Sequence, residues 1–350
     1  MRAMVSLMRV ETSLSPMHIA GPQDERGGMR LFVLQATAEF GAGIARCLRQ
    51  PLAAHEEREF EDGEHKARPL ESVRAADVYV VQGLHGGPSE SANDKLCRLL
   101  FFIGALKDAG AARVTAVVPY LCYARKDRRT KPSDPVTTRY VASLFEVVGT
   151  DAIVTFEVHN PAAFENAFRC PSVNLTATPL FVDFARKLGD EPFCVISPDA
   201  GGVKRAEVFR EALEAACGRP VGNAFAEKHR SSGMVSGDLF AGDVAGTTAL
   251  IIDDLISTGG TLVRTARAAR QLGARRVIAL VAHGLFMRGA MEAISDPAID
   301  QLVITDTVPA FRLTGNPVMA KVHVLPAAPL FADTIGRLHE GRSLNDSLVF

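Results

Sequence analysis

Ala249-Leu250-Ile251-Ile252-Asp253-Asp254-Leu255-Ile256-Ser257-Thr258-Gly259-Gly260-Thr261 is the stretch on which the reading of this chain turns. An apolar run suited to a buried strand delivers two acids to its C-terminal end, and a small-residue loop then opens a helix. In open α/β sheets, ligands bind at that place, outside the carboxyl ends of the strands. Ser257, Thr258 and Thr261 can donate hydroxyls, while Gly259 and Gly260 let backbone N–H groups approach an anion closely. The helix N-terminus adds its positive end. A plain βα turn would gain nothing from two acids beside an anion cradle, because they repel the charge the loop attracts. They make sense where they hold a cation or the hydroxyls of a sugar.

Outward from this segment, from Met29 on, short β-branched runs alternate with longer helical stretches, which predicts βα units and a parallel sheet. Strands are expected at Asp77–Val81, Arg113–Val118, Ala152–Phe156, Phe193–Ser197, Ala249–Asp253, Arg276–Ala282 and Gln301–Thr305. Helices are expected between them, for example over Asp94–Ala109 and Thr261–Leu272, where apolar residues recur at three- and four-residue spacing. Gly110–Val118 echoes Gly273–Val281: in both, a helix ends at Gly and a buried strand follows. Each copy is preceded by a strand and loop, Val78–Gly83 in one and Leu250–Asp254 in the other. The matched context argues for a duplication. The halves share an architecture but not a chemistry, since only the second carries the acids and the Thr258–Thr261 loop.

A length of 350 residues suits two domains, each able to bury its own core. Apolar residues at 47% and charged residues at 23% are the balance of a soluble globular protein. The formal net charge of −1 gives no global reason to expect nucleic acid or an anionic membrane as partner. No apolar stretch approaches the ~20 residues of a membrane span. Met1–Gly28 also lacks the apolar core of roughly 7–15 residues that a signal peptide needs. It is expected to be a disordered extension or a start called too early. The six cysteines are scattered without a C-x-x-C pair, as expected of buried free thiols in a reducing cytosol.

The Asp253–Thr261 block resembles the ribose-5-phosphate loop of the phosphoribosyltransferase fold. Five further segments, in order, resemble the ribose-phosphate pyrophosphokinase family. Phe60-Glu61-Asp62-Gly63-Glu64 looks like its adenine-binding turn, and Tyr123–Arg129 like its second ATP-contacting segment. Thr155-Phe156-Glu157-Val158-His159 resembles the segment whose His meets the metal–triphosphate. Ser197–Ala206 resembles its pyrophosphate loop, and Glu227-Lys228-His229-Arg230 with the polar stretch beyond resembles its catalytic lid. Asn93-Asp94, Ala282-His283-Gly284 and Thr305–Pro309 also fit.

The resemblance implies two tandem phosphoribosyltransferase-like α/β domains, each a mostly parallel sheet flanked by helices. They are expected at 29–178, binding ATP, and 179–335, carrying the ribose 5-phosphate and pyrophosphate loops, with 336–350 packing back on the first. It implies transfer of the diphosphate of Mg-ATP to C1 of ribose 5-phosphate, in the cytoplasm, by a homo-oligomer (dimer or hexamer). Lys228 and Arg230 would be catalytic. Phe60, Asp62, Gly63, Glu64, Arg125 and Lys126 would bind ATP. Asp253, Asp254, Ser257, Thr258, Gly259, Gly260 and Thr261 would bind the sugar phosphate. Asp199, Gly201 and Gly202 would form the pyrophosphate loop, and His159 and Asp199 would meet Mg²⁺, His159 directly or through a water. Ser231–Gly237, small, polar and Gly-rich, is expected to be a loop that moves until substrates bind.

Against the family pattern, Lys126 replaces Gln, Ser257 replaces Asp and Glu157 replaces Asp. Asn160–Phe164 and a longer Gly83–Ala92 loop depart where the family builds its hexamer and its regulatory site. Two rival readings stay open at this point: a phosphoribosyltransferase with a base as acceptor, and a non-catalytic regulatory homologue.

Overall fold

The computed structural model describes residues 27–231 and 234–345, without the side chains of 227–239. The expected disordered extension therefore lies outside the described residues up to 26. The first half runs β1 (Gly27–Val33), α1 (Ala38–Leu48), β2 (His55–Glu59), β3 (His65–Pro69), β4 (Ala76–Val81), α2 (Ala92–Asp108) and β5 (Arg113–Val118). It continues through α3 (Thr137–Val147), β6 (Ala152–Phe156), α4 (Pro161–Ala167) and β7 (Ser172–Leu175). The second half runs α5 (Thr178–Arg186), β8 (Phe193–Ser197), α6 (Val203–Cys217), β9 (Gly222–Ser231), β10 (Met234–Ala241), β11 (Thr248–Ile256) and α7 (Gly260–Gln271). It ends with β12 (Arg276–Gly284), α8 (Ala290–Ser295), β13 (Gln301–Thr305), β14 (Val322–Leu325) and α9 (Ala328–Glu340).

One sheet has the order β1-β4-β5-β6-β7 and the other β10-β9-β8-β11-β12-β13-β14. Stripped of its β9–β10 hairpin, the second sheet repeats the parallel order of the first. The two echoed segments, at β5 and β12, both occupy the central position of their five strands. β4 and β8 are buried along their whole length, as continuous apolar runs must be when helices cover both faces of a parallel sheet. In each half a hairpin follows the first βα unit. β2–β3 forms a separate two-stranded sheet, whereas β9–β10 joins the main sheet, β9 pairing parallel with β8.

The halves do not bury independent cores. Each keeps an outer core of its own, but one inner core is shared. Val117, Val154 and Phe156 of the first sheet lie in it together with Val195, Leu250, Ile252 and Leu280 of the second, and α1, α5, α6 and α9 contribute to it. Phe331 of α9 sits edge-on to Phe40 of α1, with ring centroids 5.3 Å apart. It is also tilted against Phe156 at 5.9 Å. Fully buried rings of this kind contribute roughly 1.5–3 kcal/mol each, so a helix from the end of the chain is part of the first half's stability. His339 Nδ1 lies 2.7 Å from Asp77 Oδ2, and Arg113 donates to the carbonyl of Leu338.

Two further expectations are corrected. β1 begins at Gly27, two residues before the Met29 from which the strand–helix alternation was expected, and Gly27 pairs with Ala76 across an irregularity in the ladder. Cys122 and Cys194 are buried free thiols, but Cys47 and Cys97 are exposed, since they fall on the outer faces of α1 and α2.

Candidate active site

The two sheets bring their carboxyl ends together. A small cleft there is lined from the first half by Tyr120, Arg125, Glu157 and His159, and from the second by Asp254, Leu255 and His283. His159, just past β6, approaches Asp254 at the end of β11, with Nδ1 2.8 Å from Oδ2. The carboxylate accepts, so Nδ1 carries the proton and Nε2 is left to face a ligand. The hydrogen bond to Asp254 raises the His159 pKa, although burial opposes it. Burial alone would raise Asp254, but His159 and Arg205 outweigh it and hold the carboxyl well below the usual range. Burial and the neighbouring Asp254 push Asp253 in the opposite direction, well above that range.

His283, fully inside, fixes the seam. Its Nε2 lies 3.0 Å from the carbonyl of Phe156 and its Nδ1 2.8 Å from the hydroxyl of Thr307. A carbonyl only accepts, so the neutral ring carries its proton on Nε2. Burial, which lowers the His283 pKa, favours this neutral form.

Two anion cradles lie side by side. β8 and β11 are adjacent parallel strands; Asp199 caps the Ala200–Gly202 turn that runs into α6, whereas α7 starts at Gly259 with no side-chain cap. The first N–H groups of α7 are therefore left for a ligand. Gly259 has φ +77°, and a Cβ there would lie 2.5 Å from that of Ala293, so only glycine fits. Asp199 is exposed, and its Oδ1 accepts from the Gly202 N–H at 3.0 Å. Its Oδ2 has no hydrogen-bond partner among the described residues. Among those residues no three His, Cys, Asp or Glu side chains converge to hold a metal by themselves. That donor set fits a Mg²⁺ that keeps its waters and phosphate oxygens and takes one or two protein ligands.

The remaining expected residues fare differently. Arg125 is exposed on the cleft wall. Lys126 is instead drawn to Asp134, 2.6 Å away, inside its own loop. Phe60–Glu64 forms the turn of the β2–β3 hairpin, closed by the Phe60 N–H to Glu64 carbonyl bond at 2.8 Å. None of its residues lines the cleft. The backbone of Lys228 and Arg230 lies on β9, opposite Asp238 and Val235 of β10; their side chains lie outside the described residues. The stretch read as a loop, Ser231–Gly237, is carried by the hairpin strands at Ser231 and from Met234 on, because the β9 edge pairs with β10.

Arg205 is the residue the sequence reading missed. It lies in the first turn of α6, its side chain only 16% exposed, near Glu157, Asp253 and Asp254 together. A lone Arg in an amphipathic helix gives no local signal. Its place directly after the Gly201-Gly202 loop was the available hint.

Parallel sheets flanked by helices, with paired acids and a glycine-started helix at the strand ends, have the architecture of the phosphoribosyltransferase-type fold. A family profile described as the N-terminal domain of ribose phosphate pyrophosphokinase matches residues 29–149, and one described as a phosphoribosyl synthetase-associated domain matches residues 237–349. A ribose-phosphate pyrophosphokinase of Caldanaerobacter subterraneus is 37% identical over 320 residues, covering 91% of this chain and 96% of the relative. One from Wolinella succinogenes is 34% identical over 323 residues, 92% of this chain and 99% of the relative. The crystal structure of phosphoribosylpyrophosphate synthetase from Mycobacterium smegmatis superposes with a TM-score of 0.80 at 32% identity, covering 90% of this chain and 99% of that one. The chain belongs to the ribose-phosphate pyrophosphokinase family.

Proposed function

We propose that this chain transfers the β,γ-diphosphate of ATP to the C1 hydroxyl of ribose 5-phosphate, giving phosphoribosyl pyrophosphate and AMP. The observation that carries the reading is the pair of loops on adjacent strands β8 and β11, one opening α7 with no side-chain cap, the other presenting Asp199, with His159 of the other half bonded to Asp254. One sugar carrying a phosphate at C5 and a diphosphate at C1 would use both cradles at once. Ser257, Thr258 and Thr261 with the Gly259–Gly260 backbone would hold the 5-phosphate, and Asp253 and Asp254 would accept from the sugar hydroxyls. Asp199, Gly201 and Gly202 would take the diphosphate. Arg125 would meet the ATP phosphates, and Phe60, Asp62, Gly63 and Glu64 the adenine. Lys126, engaged by Asp134, would reach ATP only on leaving that partner.

Phosphoryl-group transfer is mostly positioning and charge neutralisation. The attacking hydroxyl would be aligned with the β-phosphorus while Lys228 and Arg230 neutralise the charge that grows on the transferred group. Mg²⁺, met by Asp199 and by Nε2 of His159 directly or through a water, would supply further neutralisation of the phosphate oxygens. Among the described residues no helix is long and apolar enough to cross a membrane, and a cytoplasmic location belongs to the same reading. So does a homo-oligomer, dimer or hexamer. Tyr140, Leu144 and Val147 supply an exposed apolar stripe at i, i+4 and i+7 on α3, with Val147 84% exposed, and light scattering reads the assembly. The central test is AMP release from ATP with and without ribose 5-phosphate. Release that depends on the sugar is expected. AMP production indifferent to it, or none at all, would refute the reading.

A further inference from the structure

We infer that Glu157, a residue of the first half, is a positioning residue for the sugar site of the second: it restrains Arg205 from closing on the Asp253–Asp254 pair. The inference rests on the reading of those two acids as acceptors for the sugar hydroxyls.

Glu157 follows β6 with φ +43°, in the left-handed region that non-glycine residues seldom occupy. From there its Oε1 accepts from the Ala177 N–H at 2.7 Å and from the Thr176 hydroxyl at 2.8 Å. Its Oε2 accepts from Arg205 Nε at 3.3 Å. One carboxylate is thus tied to the start of α5 at one oxygen and to the guanidinium at the other. Arg205 Nη1 then stands 3.9 Å from Asp253 Oδ1 and 3.8 Å from Asp254 Oδ1. These separations are too long for hydrogen bonds and almost equal. The cation is near enough to temper the repulsion between the acids, yet it does not occupy their oxygens.

Arginine and carboxylate pair strongly when the two-pronged geometry is open to them. A guanidinium released at Nε would need to move only about 1 Å to reach hydrogen-bond length to both acids. It would then sit on the oxygens that sugar hydroxyls must use, as an internal competitor. Glu157 prevents this by holding the far side of the guanidinium, and it is itself aimed by Thr176 and Ala177. The acid that keeps the sugar site open belongs to the opposite sheet, so the site is complete only when the halves are docked.

The test is the pair Glu157→Gln and Glu157→Asp in the full chain, assayed by AMP release with each substrate varied. Gln keeps the length but loses the charge that retains Arg205. The expected result is a KM for ribose 5-phosphate raised about tenfold, with the KM for ATP within twofold. Asp keeps the charge and should hold both KM values within threefold of wild type. A purely structural role would lower the active fraction, or shift both KM values together. An unchanged sugar KM in Glu157→Gln, or equal damage in both variants, overturns the inference. Should Glu157→Gln fail to fold, Thr176→Val removes one donor that aims the carboxylate and should give a smaller, still sugar-selective rise; no rise would overturn the idea as well. If the wild-type chain releases no AMP with ribose 5-phosphate, the functional reading fails first, whereas the inference fails only on a wild type that works.

Discussion

The loop after β4 and the loop after β11 occupy the same station in two sheets of matching strand order, and they end in opposite ways. The first enters α2 through a capping box: Ser91 accepts from the Asp94 N–H, and the Asp94 carboxylate accepts from the Ser91 N–H. The helix satisfies its own N-terminal donors and sets a negative charge over them. The second enters α7 through Gly259, with no side chain over the N-terminus. Two matching units thus differ at one point: the start of one helix is sealed and that of the other is left open. The hairpins diverge in the same way. β2–β3 stands apart, tied to α2 by the buried pair of Arg98 and Glu57 at 3.1 Å, while β9–β10 extends the second sheet.

The largest effect is expected in the second hairpin. Lys228→Ala should lower kcat by roughly 10²–10³, about 3–4 kcal/mol, as for the loss of one well-placed charge-stabilising donor. The KM for ATP should hardly change, because such a cation acts on the transition state more than on bound substrate. A kcat within a few-fold of wild type in steady-state assays would remove Lys228 from the mechanism.

Next comes the open loop. Gly259→Ala forces a left-handed alanine against Ala293, so the strain of about 1–2 kcal/mol is joined by a steric clash. Urea unfolding should show a loss above ~2 kcal/mol. Gly63→Ala in the first hairpin meets φ +87° but nothing within 4 Å, and should cost only about 1 kcal/mol. Equal losses would mean that the tight packing of α7 against its strand is not what fixes the cradle.

The smallest effect concerns the joint between the halves. Asp77→Asn removes the partner of Arg113 and His339 and should cost about 1–2 kcal/mol, since Arg113 is partly exposed. Burial raises the Asp77 pKa, but the Arg113 and His339 hydrogen bonds outweigh it and leave the carboxyl depressed. Its contribution is therefore present above the ordinary carboxylate value of about 3.9 and is lost as pH falls through the lower folded value. The gap between wild type and variant should begin to close below about pH 4 and vanish only below the depressed folded value, and a gap that persists there would assign the cost to packing.

Much of the architecture was legible. β5, β6, β8 and β13 fall on the residues expected, because buried parallel strands are continuous apolar runs. β7 and β14 were not found: Ser172–Leu175 and Val322–Leu325 are four-residue edge strands, half exposed, with too little apolar sequence to stand out. In the site, Arg125, His159 and Asp254 line one cleft. The Arg205 contacts could not be read, since Glu157 is 48 residues away and the pairing exists only because two sheets dock. The sharing of the inner core was hidden for the same reason. Periodicity shows that a face is apolar but not which partner covers it.

The docking of α9 on the first half sets a timetable for a chain leaving the ribosome. His339 is 262 residues from the Asp77 it meets, so β4 and β5 are synthesised long before the helix that closes over them. Until that helix arrives, the apolar side of α1 around Phe40 and Ile44 has lost part of its cover, and a nascent first half is an aggregation risk of the kind chaperones attend. Among the described helices, α9 is the one whose arrival completes the packing of the first half.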